Sequence, residues 1–129
     1  MKVNIGKYPN HRFYHNWLYN WFGYSPKQRT RIKIHNYDTW SMDCTLAHII
    51  LPMLVQLKAT KHGYPADLTE QEWDDILDEM IWAFEQKCRD DWMEDYDYNK
   101  WDREGAKAHQ ELMSKGFRLF GRYYENLWD

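Results

Sequence analysis

The chain has 129 residues, 17 basic and 20 acidic, with 43% hydrophobic and 29% charged residues and a net charge of −3. That is the size and make-up of one globular domain, too rich in apolar side chains to be a disordered chain. Its slight acidity argues against general binding of duplex DNA, which takes an excess of cations.

Eight Trp, ten Tyr and five Phe supply 18% of the residues. Large flat rings fill a core with few residues, and rings left outside offer a partner or a base something to stack on. The two cysteines, Cys44 and Cys88, have no metal-binding spacing and read as free thiols in helices, consistent with a reducing compartment. The longest apolar run, Ile49 to Val55, is too short to span a bilayer. The first residues show no signal-peptide pattern. The expectation is a cytoplasmic protein without membrane contact.

In chain order, Val3–Asn4–Ile5 alternates briefly before Gly6. Arg29 to His35 alternates more clearly, with Ile32 and Ile34 on one face and Arg29, Arg31, Lys33 on the other. Period two with β-branched residues predicts half-buried strands, which are expected to pair antiparallel. The ring-dense stretch between them, Tyr8 to Tyr24, has apolar spacings of three and four that suit a short helix or turn, while its aromatic residues suit a strand equally well. Gly23 and Pro26 are expected to end it.

Three long helices follow. The first is expected from Asp38 or Thr39 as cap to about Lys61, with Gly63 as its stop. Leu46, Ile50, Met53, Leu54 and Leu57 form its apolar stripe, and Pro52 predicts a kink. The second opens on Thr69-Glu70-Gln71-Glu72, a capping box, with Leu68 placed as its staple. It runs to about Asp91, burying Trp73, Leu77, Met80, Ile81, Phe84 and Cys88. Asp90 to Trp101 reads as an ordered acidic and aromatic loop. The third runs from about Asp102 to Leu127 on a stripe that includes His109, Met113, Gly116 and Phe120. Its glycines predict close approach of another helix or a large ring, and with the many rings they suggest a homodimer. The expected fold is α+β and predominantly helical: three long packed helices, a small N-terminal two-stranded sheet and an aromatic-rich segment, in one domain over residues 1–129.

Three stretches together, Tyr37-Asp38-Thr39-Trp40-Ser41-Met42-Asp43, Asp78 to Gln86 and Leu119-Phe120-Gly121-Arg122-Tyr123-Tyr124, resemble small uncharacterised proteins of tailed bacteriophages. The likeness covers most of the chain after about Arg29. It implies an infected bacterial host cell and no assigned activity, so it carries over no functional residue.

Two constellations stand out. Asp43 and His109 interrupt apolar stripes and Glu85 flanks one, so the three are candidates for a buried polar cluster. A carboxylate in such a place must be paired or hydrogen-bonded. The cluster is either structural or, if it holds an ion, the centre of a metal-dependent nucleotide hydrolase; alternatively Asp43, in the first turn of its helix, simply serves free backbone N–H groups. The second is basic and aromatic. Arg29, Arg31 and Lys33 beside Trp40 have the chemistry to hold a nucleotide by phosphate and base, or to protect a solvated strand edge. There is no nucleophile elbow, phosphate loop or HExxH helix, and no catalytic residue, metal ligand set or cofactor is assigned. The expected function is a non-enzymatic phage accessory protein that binds a host protein or sequesters a small signalling nucleotide. The alternatives are the hydrolase and a minor virion or assembly protein.

Overall fold

A computed structural model of the chain describes residues 1–9, 13–89, 91–96 and 102–129. Among these residues the fold is α+β and predominantly helical, with four helices and a two-stranded antiparallel sheet at the N-terminus. Contacts within the chain divide it into two compact units, Met1–Trp40 and Ser41–Asp129.

In the first unit, β1 (Lys2–Ile5) pairs with β2 (Thr30–Lys33) in the register Lys2–Lys33, Val3–Ile32, Asn4–Arg31, Ile5–Thr30. The Gly6 amide donates to the Arg29 carbonyl at 2.8 Å, and Gln28 Nε2 donates back to the Gly6 carbonyl at 2.8 Å, which closes the ribbon at that end. The expected half-burial fails: every residue of both strands is exposed. Val3, Ile5 and Ile32 share one face of the ribbon, and all three are exposed. The ring-dense segment forms α1 (Phe13–Phe22). It stops where Gly23 takes φ +65°, a left-handed conformation that glycine adopts without a Cβ clash, and the Gly23 amide donates to the Tyr19 carbonyl at 2.9 Å.

Asp38 does not cap the first long helix. It sits in a 3-10 turn, Asn36–Thr39, where its carboxylate accepts the His35 amide at 2.7 Å and pairs with the Met1 amino group at 3.0 Å. These two partners hold it below the usual carboxylate range, the His35 amide first. The turn is thereby tied to the start of β1, and the helix begins four residues later than Asp38.

The second unit is built from α2 (Met42–Thr60), α3 (Glu70–Arg89) and α4 (Arg103–Arg122), with α3 packed against both others. Single 3-10 turns lie at Trp92–Asp95 and Tyr124–Asn126. Ala47 and Leu54 of α2, Trp73, Leu77, Met80 and Phe84 of α3, and Tyr123 form the core. Trp73 meets Tyr123 edge-on at 5.5 Å, and Phe84 meets Phe117 and Phe120 edge-on at 5.2 Å, the arrangement that ring quadrupoles favour.

Of the expected stripe of α2, Ile50, Leu54 and Leu57 meet the core, but its edges differ. Leu46 and Met53 are exposed, while Ala47 and Leu54 are buried. The charged ends of the helix agree with this orientation: Lys58 pairs with Asp78, and Lys61 with Asp74 at 2.9 Å, both on α3. Helix α2 continues through Pro52 and ends at Thr60, with Lys61 as its C-cap, before Gly63. The capping box at the start of α3 forms as expected: the Thr69 amide donates to Glu72 Oε2 at 2.7 Å, and the Glu72 amide to Thr69 Oγ1 at 3.2 Å. Asp102 caps α4 by accepting the Gly105 amide at 2.8 Å. Asp129 accepts the His62 amide at 2.6 Å, joining the chain's last residue to the segment after α2.

By length and composition α2 is the one helix among the described residues that is long and apolar enough to cross a membrane, with a mean hydropathy of 1.2 and 11% of that stretch buried. His48 and Gln56 bound the continuous apolar run at seven residues without lowering the average of the whole helix far.

Candidate binding surfaces

The Met1–Trp40 unit carries seven Lys and Arg residues and one carboxylate, Asp38, a balance of +6; Ser41–Asp129 carries ten against nineteen, a balance of −9. The overall −3 hides this division. Within the first unit Asp38 is taken by Met1 and His35. No carboxylate of that unit is therefore left for Lys2, Lys7, Lys27, Arg29, Arg31 or Lys33, all of which are exposed.

Rings accompany the cations. Phe13 is 90% exposed, Trp21 71% and Trp40 84%, and Trp17 and Phe22 are exposed as well. Of α1 only His15 is buried, beside Tyr14 and Tyr24. Trp17 touches Trp21 and Phe22, so these exposed rings form a group on the helix surface. His35 and Tyr37 stack nearly parallel, 5.3 Å apart. The candidates Arg29, Arg31, Lys33 and Trp40 thus all lie on the surface of one unit. Lys2 joins them through the β1–β2 register, a partner that periodicity within a single strand does not reveal.

The buried polar cluster does not assemble. Asp43 is a surface residue, its side chain 64% exposed and paired with Lys87 at 2.6 Å. Lys87 and the start of α2 hold the Asp43 carboxyl below its usual range, the Lys87 hydrogen bond being the first cause. Glu85 is exposed on α3. The physical reason is position: Asp43 lies in the first turn of α2, where it reaches the last turn of α3, and Glu85 follows Phe84 on the outward side. Among the described residues no three His, Cys, Asp or Glu side chains converge in a way that would hold a metal ion.

His109 has a different partner set. Its Nδ1 and Tyr96 Oη share a hydrogen bond at 2.7 Å. Trp92 stacks on its ring at 4.6 Å, and Trp82 lies 5.0 Å away, tilted. His109 Nε2 is buried with no hydrogen-bond partner among the described residues. Gln86, one turn after Trp82, is buried with Oε1 in the same condition. Near them Asp78, Glu79, Trp82 and Leu112 line a shallow open cavity of about 260 Å³. The apolar stripe pointed to His109 as a misfit. Its partners come from the acidic aromatic loop, whose residues 90 and 97–101 lie outside the described ones.

Cys44 and Cys88 are free and half-buried. Burial raises the Cys88 thiol above its usual value, and nearby Cys44 adds to that shift.

No family model, curated protein or solved structure matches this chain.

Proposed function

We propose that the chain is a non-enzymatic binding protein that engages an anionic component of an infected bacterial host through its Met1–Trp40 unit, acting in the cytoplasm as an accessory protein of a tailed phage. One observation carries the binding reading: among the described residues the unit's one carboxylate is taken by Met1 and His35, while its cations and the rings of Phe13, Trp17, Trp21, Phe22 and Trp40 are exposed. Exposed Trp, Tyr and Arg are the residue types that anchor interfaces, and contiguous exposed apolar surface marks an interaction site. The likeness to small phage proteins supports the setting. Against the hydrolase alternative, Asp43 pairs with Lys87, His109 with Tyr96, and Glu85 is exposed.

The test is affinity purification of the full chain from infected cells, beside a Trp17→Ser/Trp21→Ser double variant, with cross-linking to locate the contact. A component that cross-links to Lys27 or Lys33 and is lost from the double variant supports the reading. Contacts confined to Ser41–Asp129, or equal recovery with both proteins, overturn it. Detection of the protein in purified virions, bound there through the same unit, moves it to the assembly class.

A further inference from the structure

The β1–β2 register sets Lys2 directly opposite Lys33, and Arg31 opposite Asn4 on the same side of the ribbon. Directly opposed cross-strand residues share a face, and like charges in that position repel. By strand alternation Arg29 lies on this face too, opposite Gly6, whose missing side chain leaves the Arg29 stem uncovered. Four exposed cations therefore occupy one face of a two-stranded ribbon. The unit's one carboxylate, Asp38, is already taken by Met1 and His35. A protein that only needed to guard a strand edge would gain more from alternating signs, because opposite charges across the pair stabilise it.

We infer that this face, Lys2, Arg29, Arg31 and Lys33, binds the phosphate groups of a single-stranded nucleic acid or a free nucleotide. The inference rests on the binding reading above and names the ligand class for that unit. Successive cations along β2 stand about 7 Å apart, a spacing suited to neighbouring phosphates of an extended strand, and guanidinium groups take phosphate oxygens in pairs. The rings are placed to match. The Met1–Asp38 ion pair and the His35–Asp38 hydrogen bond hold the 3-10 turn against the Lys2–Lys33 end of the ribbon. The stacked His35 and Tyr37 therefore lie at that end of the ribbon, where a base attached to a bound phosphate would find an aromatic surface. Trp40 is exposed immediately after the turn.

The test is fluorescence anisotropy with the full chain and a labelled oligo-dT of about a dozen nucleotides, across a salt series. ATP and inorganic pyrophosphate serve as competitors. The decisive variant is Lys33→Glu, which sets an opposite charge across from Lys2 and so keeps or tightens the ribbon. The expected result is binding that weakens with salt with a log–log slope of about −2 to −3, as for three or four phosphate contacts at about −0.7 each. Lys33→Glu is expected to lose at least tenfold in affinity and flatten the slope, while hydrogen exchange of the β1–β2 amides stays as slow or becomes slower. Full displacement of the strand by ATP assigns the site to a free nucleotide; retention of the strand assigns it to the polymer. Equal binding by Lys33→Glu, or no binding of strand or nucleotide at low salt, overturns the inference. If in that case the Trp17/Trp21-dependent host component is still captured, the binding reading survives without its phosphate ligand. If capture fails as well, both fall.

Discussion

Gly116 of α4 lies against Ala83 of α3 so closely that a side chain has no room there. A Cβ built on Gly116 would overlap the Ala83 methyl and stand 2.7 Å from the Glu79 carbonyl oxygen. Backbone cannot give way as a flexible side chain can. Gly116→Ala therefore gains about 1 kcal/mol in helix propensity and loses about 1–3 kcal/mol to overpacking, so a net loss is expected in chemical denaturation. Gly121, on the same helix with nothing within 4 Å of its Cβ position, is the control. Gly121→Ala is expected to stabilise by roughly 0.5–1 kcal/mol. The close approach expected of the third helix's glycines is met at Gly116 inside the chain, so that residue is not available to a second copy.

The His109 box makes a second prediction. Tyr96→Phe removes the hydroxyl bonded to His109 Nδ1 and is expected to cost about 1 kcal/mol. Near-ultraviolet circular dichroism should change with it, because Trp92 stacks on the same imidazole. An unchanged unfolding midpoint and spectrum would mean that the loop does not depend on this bond.

The capping box predicts both a mutational and an acid effect. Thr69→Ala removes the oxygen that accepts the Glu72 amide and is expected to cost about 1 kcal/mol. The Thr69 amide and hydroxyl hold the Glu72 carboxyl below its ordinary 4.5. A lowered pKa contributes stability that is fully present above the unfolded value and is lost as pH falls through the folded one. Stability should therefore decline below about pH 4.5, and more shallowly in Glu72→Gln. Parallel pH titrations of unfolding for the two proteins check this.

Asp43→Asn separates a surface pair from a buried cluster. With Asp43 largely in water, paired with Lys87 and beside the exposed first turn of α2, the substitution should leave the thermal midpoint nearly unchanged. A large drop would mean that the carboxylate is buried in solution.

The local elements are legible in the residues themselves. The Thr69–Glu72 box marks the start of α3, Gly23 ends α1, and the alternation around Ile32 marks β2. Each signal works within a few residues through a hydrogen bond or a steric limit, which is why it can be read along one line. The stripe of α2 is less legible. That helix is apolar on more than one side, so periodicity offers two faces, and the Lys58–Asp78 and Lys61–Asp74 pairs with α3 go with the one that is buried.

The candidate surface divides the same way. Arg29, Arg31 and Lys33 share a face by alternation alone, and Trp40 follows them in the chain. By itself the sequence determined the helices, the strands, the side on which each strand's charges lie, and the absence of familiar catalytic motifs. Tertiary structure alone decided that Lys2 faces Lys33 across the ribbon, that Asp38 is taken by Met1 rather than by a helix end, and that His109 meets Tyr96 instead of Asp43. The reason is distance along the chain. Periodicity reports on neighbours a turn or a pleat apart, whereas these pairings join residues 13 to 37 positions apart, and only packing and strand register bring them together.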